Sequence, residues 1–207
     1  HTWANFSVIE SHMWDAANSR SIPAVPHWGF AGLGRGQLGG FDPNQLSLTS
    51  EGEWQIKGSF GPFANGGNSV PYTNLELYLA GLIPSSDVED ITYFTDIANY
   101  RFERPTSSTG QVSSYFKATK KTWTINDWIA KKGQRLPNVN DSEKSFRAIT
   151  IILTNKSLTS DEETLMEEDL KWFSYPGEDN NNYLYNFWEA TKGKATFHVD
   201  ELSNFAL

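Results

Sequence analysis

The chain has 207 residues, 38% hydrophobic and 14% aromatic, with no cysteine and a formal net charge of -8 at pH 7. That length and apolar content suffice for one buried core, which argues for a single domain and against a disordered tail. The acidic balance disfavours nucleic acid as a partner and no apolar run reaches the roughly 18 to 20 residues of a membrane span, while the lack of thiolates leaves imidazoles and carboxylates as metal ligands.

Residues 1–17 set Trp3, Phe6, Val8, Ile9, Met13 and Trp14 among small and polar residues, a pattern that predicts a mostly buried helix. Residues 21–41 contain Pro23, Pro26 and a Gly-rich stretch, so regular structure should give way to a long loop of the kind that carries function. Residues 46–49 and 53–60 alternate about Glu51-Gly52 and predict a hairpin with Trp54 and Ile56 on one face. A second loop follows over 61–71. Thr73-Asn74-Leu75-Glu76 matches a capping box, so a short apolar helix should begin there and end near Gly81, ahead of Pro84. Tyr72 and Glu76 then stand at the mouth of that helix.

Strands are expected over 91–94 and 112–117, and Thr124 with Asp127 opens a helix that stops near Gly133. Residues 146–154 contain Ala148-Ile149-Thr150-Ile151-Ile152-Leu153, a β-branched run suited to a central strand buried on both faces. Thr159 or Ser160 caps a helix with Glu162 and Glu163 in its first turn, and its stripe of Leu165, Met166, Leu170 and Phe173 should pack on the sheet. An aromatic-rich segment over 183–191 precedes a final strand over 195–199 that carries His198. The sum is an α+β single domain spanning 1–207, with a small mixed sheet, packed helices and long Gly/Pro-rich loops.

Four histidines limit the metal chemistry. On a helix over 1–17, His12 would lie roughly 16 Å along the axis from His1, too far to share an ion, and Glu10 fails for the same reason. His27 is placed differently, because the Pro-rich loop after the helix turns the chain back and sets an imidazole beside Trp28. His1 and His27 are therefore the candidate metal ligands. His12 and His198 read as ordinary surface or core histidines.

Several strings together resemble a known group: His1-Thr2-Trp3-Ala4-Asn5-Phe6, His27-Trp28, the run Tyr72-Thr73-Asn74-Leu75-Glu76-Leu77-Tyr78-Leu79-Ala80-Gly81-Leu82-Ile83-Pro84, and Phe187-Trp188-Glu189-Ala190-Thr191. They are similar to secreted bacterial proteins of the zincin metallopeptidase type, in which an H-E-x-x-H helix runs into a tryptophan and an H-W pair follows a short loop. The resemblance implies a zincin-like fold, zinc as cofactor and a peptide substrate. His1 then matches the second histidine of H-E-x-x-H, and the first histidine and general-base glutamate are expected four and three residues upstream in a longer precursor. The chain as it stands is expected to bind metal without efficient hydrolysis. The resemblance further gives His27 as an additional ligand, Tyr72 as a group that polarises a substrate carbonyl, and Glu76 as a carboxylate that orients a metal ligand.

Two other readings use the same residues. An N-terminal histidine can chelate copper through its α-amino nitrogen and ring, as in the histidine brace of polysaccharide oxidases, and the 8 tryptophans and 8 tyrosines offer faces for a glycan substrate. The third reading is a non-catalytic extracellular binding or structural domain. Secretion is the expected localisation in all three, from the composition and a first residue that is not Met.

Overall fold

The computed structural model describes residues 36–37, 39–58, 70–104, 112–180 and 184–199, and the backbone of 14–15, 20–21 and 31–32. Strands β1 (Trp14–Asp15) and β2 (Arg20–Ser21) pair antiparallel. The helix expected over residues 1–17 is thus corrected at Trp14 and Asp15, which are extended; residues 1–13, 16 and 17 lie outside the described residues.

The main sheet is antiparallel throughout, in the order β3–β6–β7–β5–β4. Its members are β3 (Ala31–Gly32), β4 (Leu46–Leu48), β5 (Trp54–Lys57), β6 (Ile91–Glu103) and β7 (Ser113–Trp123). The β4–β5 hairpin closes as its sequence predicts, with Gly52 at φ 75 in the turn. The strands expected over 91–94 and 112–117 are the starts of much longer ones. β6 absorbs its extra length in two register shifts, with Asp96 (φ 56) and Asn99 (φ 55) in the left-handed region that these short polar residues tolerate.

Strand alternation divides the core in two. Phe94 and Ile97 of β6 join Phe116, Ile56 and Phe41 in one buried cluster. Ile91 and Tyr93 join the other, where they meet helix α1 (Asn74–Ala80) through Leu75, Leu77 and Tyr78, and helix α2 (Ile125–Lys132) through Trp128. Both helices carry the reciprocal capping box that their sequences predict, and α1 ends on Gly81 at φ 79.

The last third of the described chain is built otherwise. Strand β8 (Ser145–Ala148) pairs in parallel with β9 (Thr196–Val199), and the crossover that a parallel pair requires is supplied by helices α3 (Ser160–Phe173) and α4 (Phe187–Ala190). Phe173, Phe187 and Phe197 stack in this unit at centroid separations of 5.0–6.0 Å.

Two expectations fail in this unit. The β-branched run is not the spine of the sheet: only Ser145–Ala148 is strand, and Ile151 and Leu153 are 78% and 92% exposed. Composition alone cannot tell a buried strand from an apolar run that no neighbouring element covers, and here α3 leaves it open. The stripe on α3 likewise packs only at its C-terminal end; Leu165 is 61% exposed and no residue of the helix is buried. In place of one mixed sheet, parallel pairing among the described residues is confined to β8–β9, apart from the antiparallel sheet.

Candidate functional site

The N-terminus of α1 is the most tightly determined polar site among the candidates. Glu76 occupies the third helical position with only 1% of its surface exposed. Its Oε2 accepts the Thr73 backbone N–H at 2.7 Å, and the Glu76 N–H donates to Thr73 Oγ1 at 3.3 Å. The Gln37 N–H, from the Gly-rich loop, donates to the same Oε2 at 3.3 Å. Charge-assisted bonds of this kind fix a carboxylate in one orientation.

The loop reaches this carboxylate because of glycine. A Cβ on Gly36 would run into Glu76 Oε2 and Thr73 Cγ2, so only a bare backbone fits. Gly36 and Gly39 exchange backbone hydrogen bonds at 3.2 Å, and the Gln37 side-chain amide donates to the Val70 carbonyl. A tight turn thereby seats the end of the long Gly/Pro-rich segment on the start of α1.

Tyr72 stands immediately before this cap, half-buried against the core that contains α1. Its phenol is raised above the ordinary 10.0 by burial first and by repulsion from the Glu76 carboxylate second, so it stays protonated through neutral pH. The Tyr72 N–H donates to the Ala190 carbonyl at the end of α4 at 2.9 Å, and Lys192 Nζ donates to Asn74 Oδ1 at 2.8 Å. Two strings that are far apart in the sequence, Tyr72–Pro84 and Phe187–Thr191, therefore meet at one place. α4 has its own reciprocal box between Asn186 and Glu189, and Asn186 is fully buried.

Arg135 holds the other end of α1, and sequence reading missed it. Its Nε and NH2 donate to the Leu79 and Ala80 carbonyls at 3.2 and 3.1 Å, and its NH1 donates to Ser142 Oγ. A guanidinium on the last carbonyls satisfies the helix C-terminus and complements its dipole. The only sequence signal was an arginine in a loop after α2.

His1, His12 and His27 lie outside the described residues, and His198 is an exposed residue of β9. Among the described residues no group of three or more His, Asp or Glu could hold a metal ion. No helix among them is long and apolar enough to cross a membrane. No family model matches the chain, and neither a curated protein nor a solved structure is significantly similar to it.

Proposed function

We propose that this chain is a secreted zinc-binding domain of the metallopeptidase type with a zincin-like fold, in which His1 and His27 hold the metal beside Tyr72 and Glu76. One observation carries the reading. The turn at Gly36–Gly39 is clamped onto a buried carboxylate, Glu76, and nothing larger than Gly36 fits between them. The Gly36–Gly39 turn, nine residues after the candidate ligand His27, is thus fixed on the start of α1, and second-sphere support of this kind is what a metal site uses.

The proposed donor set suits zinc in kind, since imidazoles are ordinary zinc ligands and carboxylates their ordinary hydrogen-bond partners. Zinc supplies Lewis acidity to peptide-bond hydrolysis when bound. Glu76 is then a positioning residue, its carboxylate held for an imidazole N–H. Tyr72, kept neutral by burial, donates its phenolic proton as a hydrogen bond to the oxygen of the peptide carbonyl under attack. Hydrolysis by the zincin route also needs the glutamate that the resemblance sets three residues before His1, so metal uptake is the better readout than turnover.

Elemental analysis of the dialysed chain after zinc loading tests this. Stoichiometric zinc is expected in the wild type and none in His27→Ala, with an unchanged melting temperature because a loop ligand contributes little to the core. Uptake should weaken below about pH 6.5, where an unperturbed imidazole protonates. Copper retained in preference to zinc would favour the histidine brace, and no metal at all would leave a non-catalytic scaffold.

A further inference from the structure

The Ile91–Trp123 end of the β6–β7 ribbon has a different chemistry. The β5–β7 ladder runs from Lys57↔Ser113 only as far as Trp54↔Phe116, where Trp54 Nε1 donates to the Ala118 carbonyl at 3.1 Å. Beyond that point β7 still pairs with β6 through Thr119, Lys120, Lys121, Thr122 and Trp123. No strand among the described residues covers its other side. Residues along a strand aim their backbone groups alternately to the two sides, so with Ala118 facing β5, Lys120 and Thr122 present theirs to the open edge.

The surroundings of that edge are aromatic and basic. An open groove of about 660 Å³ lies beside it, where this end of the ribbon meets α2, with Tyr93, Lys121, Thr122, Trp123, Asp127 and Lys131 in its lining. Lys131 Nζ sits 5.4 Å from the Trp123 ring, and on the opposite face of the sheet Lys120 Nζ sits 5.6 Å from the Trp54 ring. Asp127 is turned to the α2 cap, where Oδ2 accepts the Thr124 N–H and Oγ1–H at 2.9 and 2.7 Å. In a chain of net charge -8, lysines are adjacent at Lys120-Lys121 and Lys131-Lys132; the first pair lies on this edge, and Lys131 stands over Trp123 beside it.

We infer that the open edge of β7 accepts an extended acidic peptide as an added strand. Edge lysines repel a basic strand or a second copy of this same edge, and they attract a strand that carries carboxylates. Backbone pairing at Lys120 and Thr122 would supply affinity, the lysines charge selection, and the Tyr93–Trp123 floor a seat for an apolar side chain. Binding at this edge needs no metal at His1 and His27.

The test uses the whole chain and a fluorescein-labelled peptide alternating Glu with Thr and Val, titrated by anisotropy. Saturable binding is expected, weakened about tenfold or more by the pair Lys121→Glu and Lys131→Glu. Thr122→Pro should weaken it comparably, since it removes an outward N–H without breaking the ladder to β6. Amide exchange at Lys120 and Thr122 should slow in the complex, and this readout decides the matter alone if Thr122→Pro fails to fold. Equal binding of the peptide with Lys in place of Glu would overturn the proposal. So would unchanged exchange at those two amides, or displacement by single-stranded DNA with no sensitivity to Thr122→Pro, which would mark a general polyanion site.

Discussion

Helices α1 and α3 begin with the same device and end in different circumstances. Both open on a threonine whose hydroxyl accepts the N–H of a glutamate three residues on, and both glutamates return the bond. Yet α1 buries Leu75, Glu76, Leu77 and Tyr78, whereas α3, twice as long, buries nothing. Capping chemistry therefore fixes where a helix starts but not how much of it is covered. What separates the two is the neighbour: α1 is wedged between the antiparallel sheet, the loop at Gly36 and α4, while α3 touches its unit mainly through Phe173.

The sharpest break of this comparison is a truncation on each helix. Leu77→Ala removes a side chain 1% exposed and should cost about 2–5 kcal/mol, read from urea midpoints. Leu165→Ala on α3 should change stability by less than about 0.5 kcal/mol. Comparable losses at the two positions would mean that α3 is covered in solution and that the contrast is mistaken.

A smaller effect is expected at the turn that seats on α1. Gly36→Ala forces a methyl into Glu76 Oε2 and Thr73 Cγ2 and should destabilise by about 1–3 kcal/mol, an overpacking cost. The same substitution at Gly52, where nothing lies within 4 Å of the added carbon but φ is 75, should cost only its backbone strain, about 1 kcal/mol. If Gly36→Ala proves as mild as Gly52→Ala, the loop is not clamped on Glu76.

The smallest effect is in acid. Asp127 lies below its ordinary 3.8, held first by the Thr124 side-chain hydrogen bond and then by the Thr124 backbone N–H. Glu162 lies below its ordinary 4.5, held first by the Thr159 backbone N–H and then by the Thr159 hydroxyl. A carboxylate lowered in the folded state contributes stability that is present above its unfolded value and lost as pH falls through its folded value. Helical circular dichroism from α2 and α3 should therefore hold at pH 5 and above and decline only below the ordinary carboxylate range. A decline that begins near neutrality would contradict these assignments.

Legibility in the sequence followed the range of the interaction. The box at Thr73 and Glu76, the hairpin about Gly52 and the cap at Thr124 are set by residues within a few positions of one another, and each stands where it was expected. The run from Ile149 to Leu153 reads as a buried strand because its residues are β-branched and apolar, but burial depends on a partner that local sequence does not specify. Arg135 and Gln37 were invisible for the same reason: their partners lie 55 and 39 residues away. At the site itself, sequence reading singled out Tyr72 and Glu76 and assigned them roles. It did not foresee that Gly36 and Gln37 close over the carboxylate, although a glycine-dense stretch was the available signal for a close backbone approach.

The metal assignment is tested most directly by anomalous diffraction at the zinc edge from a crystal of the zinc-loaded chain. The predicted result is a single strong peak bonded to the imidazoles of His1 and His27, on the side of α1 where Glu76 is held. A peak at His198, or none on a protein shown to be folded, would contradict it.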